Sequence, residues 1–189
     1  MSRTNSDNKK IPKVIVIGGG PAGLMAAGQA SLSGAQVILI EKMERPGRKL
    51  AITGKGRCNL TNDTELSEFL THFGQNSRFL RGAFHRFFVS ELLEFFTQLG
   101  IQTVTERGGR IFPVNNDANE IVMALVNWAK AAGVIIRPNT RVDQLVLAEN
   151  RISGVIIRNP NSTTEQLNAD AVIIATGGAS YPGTGSTGD

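Results

Sequence analysis

Apolar and polar positions alternate between two regimes along this chain. Lys13–Ile17 and Gln36–Ile40 are short, β-branched and unbroken, the pattern of parallel strands covered on both faces. Between them Ala22–Ser33 carries small residues (Ala22, Ala26, Ala27, Ala30) that predict a helix packed close to a sheet. Pro21 sits in its first turn, where a missing N–H is tolerated, and Gly34 ends it. Ala171–Ala175 repeats the buried-strand pattern, and Val134–Ile136 is a further parallel candidate. Residues 1–12 read as a flexible tail ended by Pro12, and 42–63 as an extended polar loop. Residues 64–100 read as mainly helical, most clearly Val89–Leu99 closed by Gly100, with all nine phenylalanines between Phe69 and Phe112 supplying a satellite aromatic core. Ile101–Glu106 and Arg110–Phe112 predict a hairpin around Arg107-Gly108-Gly109. A helix follows from an Asn116 or Asp117 cap to about Ala132, with Glu120 spaced for a capping box. Arg141–Ala148, Ile152–Arg158 and Glu165–Leu167 then predict an antiparallel meander. The expected fold is α/β: a Rossmann-like, doubly wound parallel sheet over 13–189 with an inserted antiparallel β-meander and a Phe-rich helical segment.

Composition narrows the class. The chain has 189 residues, 41% hydrophobic and 19% charged, which excludes a disordered or collagen-like polymer and a coiled coil. No apolar run approaches the ~20 residues of a membrane span. The polar opening Met1–Lys10 has no apolar stretch behind it, so no secretory signal and a cytoplasmic location are expected. The single Cys58 rules out an internal disulfide, and with two histidines it suggests no metal site. The net charge is +4, and much of the excess lies in Lys42, Arg45, Arg48, Lys49, Lys55 and Arg57. That cluster has no interleaved aromatics and no zinc-finger spacing. It fits a local anion site, with a small-molecule substrate and neither nucleic acid nor membrane as partner.

The 21 glycines concentrate at two strand ends, Gly18–Gly23 and Gly177–Gly188. Gly18-Gly19-Gly20-Pro21-Ala22-Gly23 contains G-x-G-x-x-G between a predicted strand and helix. Gly18 permits the tight turn, Gly20 lets backbone approach a pyrophosphate, and Gly23 lets helix and strand pack closely. The free N–H groups and positive dipole end at Pro21-Ala22-Gly23 would face the phosphates. Glu41, at the end of the second strand, suits the adenosine ribose hydroxyls. The strand end Ala175-Thr176-Gly177 should lie beside this turn, because ligands of such sheets sit outside the strands' carboxyl ends. A third segment, Gly47–Asn62, sets three glycines among Arg48, Lys49, Lys55 and Arg57, directly after Glu41-Lys42. Backbone and cations of this kind suit a pyrophosphate or a reduced flavin anion. Arg57 fits either that role or a structural ion pair. The residues themselves leave open an FAD enzyme, an NAD-binding dehydrogenase domain and a non-catalytic dinucleotide-binding module, and they mark no general base.

The strings GGGPAGLMAA, ILIEK, GRKLAITGKGRCNLTN, GRIFPVNNDANEIV and ATGGASYPGTGSTGD together resemble the BaiN/RdsA-type family of NAD(P)/FAD-dependent oxidoreductases, which includes aminoacetone-oxidase-like flavoproteins. The resemblance runs over about 13–189. It implies FAD as cofactor, hydride transfer through flavin N5, and NAD(P)H or oxygen as electron partner. By position in the motifs, Gly18, Gly20, Pro21, Ala22, Gly23, Glu41 and Lys42 would take the ADP half. Lys49, Gly54, Gly56, Arg57, Cys58 and Asn59 would run toward the flavin. Val142 would offer backbone groups to adenine, and Ala175, Thr176 and Gly177 would pack near the ribityl or pyrophosphate portion. The family's chains are about twice as long, so this chain is expected to be their N-terminal part, without the substrate-side domain and the closing FAD segment.

Overall fold

A computed structural model describes residues 10–185, 187 and 188. The predicted tail therefore lies largely outside the described residues; of its last part, Pro12 accepts a hydrogen bond from the Gln36 amide and Lys10 pairs with Asp170 at 2.7 Å. The chain forms two compact units, residues 1–47 with 126–189 and residues 48–125.

The first unit is built on a four-stranded parallel sheet. Its strands are β1 (Lys13–Ile17), β2 (Gln36–Ile40), β6 (Ile135–Arg137) and β10 (Ala171–Ile174), in the order β10-β1-β2-β6. Helix α1 (Pro21–Leu32) joins β1 to β2, the crossover that parallel neighbours require. The meander consists of β7 (Arg141–Ala148), β8 (Arg151–Arg158) and β9 (Thr164–Asn168), paired antiparallel as predicted. Its tight turn puts Glu149 and Asn150 at φ 50° and 61°, the two positive values a twist-matched hairpin turn needs. Val155 and Ile157 from β8 pack with Ile15, Ile40 and Ala169 in one buried cluster, so the meander covers one face of the sheet. Alternation turns Val16 and Leu39, both fully buried, to the other face, where α1 buries Leu24 and Ala27. The small residues of α1 have a concrete partner. A Cβ on Gly28 would run into the ring of Trp128, from α6 (Ala118–Ala131).

The second unit holds the Phe-rich segment, with α3 (Leu66–Thr71), α4 (Ser77–Phe84) and α5 (Val89–Gln98). Phe69, Phe73, Phe84 and Phe88 form a ring cluster with centroids 5.2–5.7 Å apart, the predicted aromatic core. The predicted hairpin is β4 (Thr103–Glu106) with β5 (Arg110–Pro113). Two local expectations are corrected. Residues 42–63 are not simply an extended loop: they contain helix α2 (Arg48–Ile52), a 3-10 turn at Thr53–Gly56 and strand β3 (Thr61–Asn62) on β5. The capping box at α6 does not close. Asp117 accepts from the Asn119 amide at 2.8 Å, but the Glu120 carboxylate receives the Asn115 side chain instead.

Candidate functional site: a dinucleotide cradle at the end of the parallel sheet

The end of β10, directly before the second glycine cluster, meets the first cluster at Gly18. Ala175 continues β10 by donating its amide to Ile17 O at 2.8 Å, and Gly18 donates to Ile40 O at 2.8 Å. Gly18, at φ 103°, lies so close to the Ala175–Thr176 backbone that no side chain fits. At Gly23 a Cβ would collide with the Gly18 carbonyl, which is the close helix–strand packing expected of the third glycine. Gly20 is different: a Cβ there meets nothing within 4 Å, and its φ of −74° suits any residue. The fold therefore does not require glycine at position 20. It leaves open space over the start of α1, a cradle a side chain would fill. Among the described residues the amides of Gly20, Ala22 and Gly23 have no protein acceptor, so three donors stand at the positive end of this twelve-residue helix.

Glu41 closes the rim. One carboxylate oxygen accepts the Gly19 amide at 2.7 Å and the other accepts the Met43 amide at 2.8 Å. The second strand end is thus tied to the glycine turn through a charged side chain rather than by backbone alone. Gly47 reinforces the arrangement by donating to Gly19 O at 2.9 Å. Asn139, at φ 51°, and Thr140 follow β6 and donate their amides to Met43 O and Glu41 O. Sequence reasoning placed Gly47 in the candidate segment but missed Met43, Asn139 and Thr140 as rim residues. The Pro46-Gly47 and Pro138-Asn139 turn pairs were the available signals. The Lys42 ammonium donates to the Thr187 hydroxyl. Val142 lies in β7 opposite Ile157, and a bulge at Asp143 interrupts the ladder directly after it, leaving local backbone groups outside the pairing. Thr176 is half-buried and Gly177, at φ 75°, is exposed.

The remaining predicted residues lie in the second unit. Gly54, Lys55, Gly56 and Cys58 all have positive φ, between 57° and 86°, so the G-K-G-R-C run is a chain of tight reversals. Arg57 stacks on the Phe112 ring at 4.0 Å. It also binds Glu106 through two nitrogens, at 2.7 and 3.2 Å, and Asn116 at 3.2 Å. Those hydrogen bonds hold the Glu106 carboxyl below the usual glutamate range. Cys58 is fully buried, and burial pushes its thiol up against a smaller opposing effect of the Thr53 hydrogen bond, so it is a packed thiol rather than a ready nucleophile. The Asn59 amide sits where it can donate to Thr61 O and Ile111 O at 3.0 and 3.2 Å. Lys49 belongs to α2. Among the described residues no group of His, Cys, Asp or Glu has the arrangement of a metal site, and no helix is long and apolar enough to cross a membrane.

Comparison with known sequences decides the family. The profile of the HI0933-like protein Rossmann domain matches residues 12–189. This chain belongs to that family. Two curated relatives place the HI0933-like domain among longer proteins. It is 36% identical over 178 residues to the 3-dehydro-bile acid delta(4,6)-reductase of Clostridium scindens, covering 93% of this chain and 41% of that protein. It is 31% identical over 174 residues to the ribosomal RNA dihydrouridine synthase of Escherichia coli, covering 92% and 41%. The HI0933-like chain thus spans about two-fifths of the length of the curated relatives it matches. In fold it resembles the 3-ketosteroid-delta4-(5alpha)-dehydrogenase of Rhodococcus jostii RHA1, with a TM-score of 0.64 at 17% identity over 93% of this chain and 48% of the other.

Proposed function

We propose that this chain is the FAD-binding portion of a flavoprotein oxidoreductase with NAD(P)H or dioxygen as electron partner. The observation that carries the reading is the empty space over Gly20, beside three acceptor-free amides, Glu41 and the Ala175–Thr176 end of β10. A pyrophosphate matches both the donors and the helix end. Gly20, Ala22 and Gly23 would hold it. Glu41 keeps lone pairs beyond the two amides it serves, and these would receive ribose hydroxyls. The backbone beside the bulge at Val142 would meet adenine. Bound FAD would supply two-electron chemistry, while the protein supplies binding, orientation and electrostatics. The two relatives support a reductive role, since one is named a delta(4,6)-reductase and the other a dihydrouridine synthase.

Gly20→Val tests the reading. A Cβ at this position meets no protein atom within 4 Å, so the fold should tolerate the variant while its side chain fills the cradle. Titration of parent and variant with FAD and with NADH, followed by flavin fluorescence and calorimetry, should show FAD binding to the parent and lost in the variant. Equal FAD affinity in both sinks the assignment, and a preference for NADH over FAD transfers the site to a nicotinamide cofactor.

A further inference from the structure

The bulge in β7 carries more charge than a bulge needs. Val142 pairs with Ile157 and Gln144 with Ile156, so Asp143 is one residue extra and stands outside the ladder. Packing explains the extra residue. Val142 and Leu145 both lie against the buried cluster of Ile15, Ile40 and Ile157, and at a spacing of three a regular strand would turn one of them away. Packing does not explain the polar side. Arg141 and Arg158 stand directly opposite each other on neighbouring strands, where like charges repel. Asp143 lies between them. One carboxylate oxygen accepts from Nε and Nη2 of Arg158 at 2.9 and 2.7 Å, and the other is 3.6 Å from Nε of Arg141.

The same sheet offers a comparison. A second bulge, at Ser153 in β8, is closed by neutral groups: the Ser153 hydroxyl donates to Val146 O at 3.2 Å, and the Ser153 carbonyl accepts the Ala169 amide at 2.9 Å. Exposed ion pairs contribute little to stability, so three charges at Asp143 are a poor way to hold a sheet together. They are a good way to hold one stretch of backbone in one conformation, because Arg158 grips the carboxylate with two nitrogens in a fixed plane. The two bulges also differ in their neighbours. Ser153 lies near the β7–β8 turn, at the far end of the hairpin. Thr140, three residues before Asp143, donates its amide to Glu41 O at 3.0 Å, and Asn139 donates to Met43 O at 2.9 Å. The start of β7 is thereby pinned to the residue whose carboxylate would receive the ribose hydroxyls. Two residues of extended chain reach about 7 Å, so Val142 and Asp143 lie where the base on that ribose would fall.

We infer that Asp143 is a positioning residue for base recognition. Bracketed by Arg158 and Arg141, it fixes the bulged backbone at Val142 and Asp143 in the arrangement that pairs with the donor–acceptor edge of adenine. Base recognition here rests on the FAD reading above, and the two fail separately. Adenine presents an amino donor beside a ring acceptor, whereas hypoxanthine presents a carbonyl and an N–H in their place, so a backbone set for one mismatches the other. The test is calorimetric titration of the full chain with FAD and with its hypoxanthine analogue, for the parent, Asp143→Ala, Arg158→Lys and, as a control at the other bulge, Ser153→Ala. The parent should prefer FAD about tenfold or more, the size of two matched hydrogen bonds. Asp143→Ala should cut that preference to about threefold or less, by weakening FAD more than the analogue. Arg158→Lys keeps the charge but loses the two-nitrogen grip, and should lower the preference in the same way at an unchanged melting temperature. Ser153→Ala should keep the parent's preference. A parent that binds both nucleotides alike overturns the proposal. So do Asp143→Ala and Arg158→Lys variants that keep the parent's preference, whatever their melting temperatures, since the ion pairs then serve the fold alone. If the parent binds no FAD, base recognition falls together with the FAD reading. If Gly20→Val abolishes FAD binding while the preference survives at Asp143 and Arg158, only the role of Asp143 falls.

Discussion

Replacing Glu41 by Ala should destabilise the chain even with no nucleotide present. Its carboxylate satisfies two backbone amides, and Gly19 is buried where water cannot replace the lost oxygen. A buried donor left without an acceptor costs about 1–3 kcal/mol. The Met43 amide is only half-buried and regains water, so its loss adds about 0.5–1.5 kcal/mol. Together the effect is about 1.5–4.5 kcal/mol, which for a domain of this size lowers Tm by roughly 3–18 °C. Glu41→Gln sharpens the test. A carboxamide offers one acceptor oxygen and turns an NH2 group toward the other amide, so Gln should recover at most half of the loss. A residue needed only for ribose hydroxyls would tolerate Gln, because a hydroxyl both donates and accepts. Thermal unfolding of the three proteins without cofactor, with amide hydrogen exchange at Gly19 and Met43, reads the effect directly. If all three melt within about 1 °C of one another and the two amides exchange alike, the tie between strand end and glycine turn carries no energy and the reasoning fails.

Other outcomes follow from single contacts. Gly28→Ala should push the chain's one tryptophan off α1, destabilising it by about 1–3 kcal/mol and changing Trp128 emission; an unchanged spectrum and Tm would refute the packing. Cys58 should resist a thiol reagent in the native chain and react on unfolding in denaturant, and rapid native reaction at neutral pH would contradict its burial. Glu106 is held below the usual glutamate range by Arg57. Its contribution is therefore complete above the ordinary glutamate pKa and lost as pH falls through the lowered folded value. Glu106→Gln should remove that share of acid sensitivity, so parent and variant converge toward pH 3; equal stability differences at pH 7 and pH 3 would exclude the pair as its source.

What the sequence disclosed follows how local the causes are. β1, α1, β2 and β10 were legible because β-branched runs, small helix residues and strand-end glycines each act through their own backbone. The meeting of Gly18 with Ala175 was legible too, since parallel sheets gather their sites at carboxyl ends. The segment after Glu41 was not. Its short helix, 3-10 turn and β3 depend on pairing with β5 and on a series of positive φ values that no periodicity announces. Glu120 was misassigned because Asn115, five residues earlier, competes for the same carboxylate. The amide tie of Glu41 was invisible for a related reason: an acid at a strand end was read for its ligand, not for its neighbours.

The pairing of β1 with β10 also has a consequence for synthesis. The two strands that frame the cradle are separated by nearly the whole chain. At ~5–20 residues per second the ribosome takes roughly 10–30 s to pass from one to the other. During that interval the β1–β2 pair has both outer edges bare until β6 is made and the β1 edge bare to the end, and the glycine turn lacks the Ala175–Thr176 wall. The nascent chain therefore carries an unpaired, β-branched strand edge well before its partner is made. Protection of that edge during translation is a demand this topology places on the cell, separate from the stability of the finished fold.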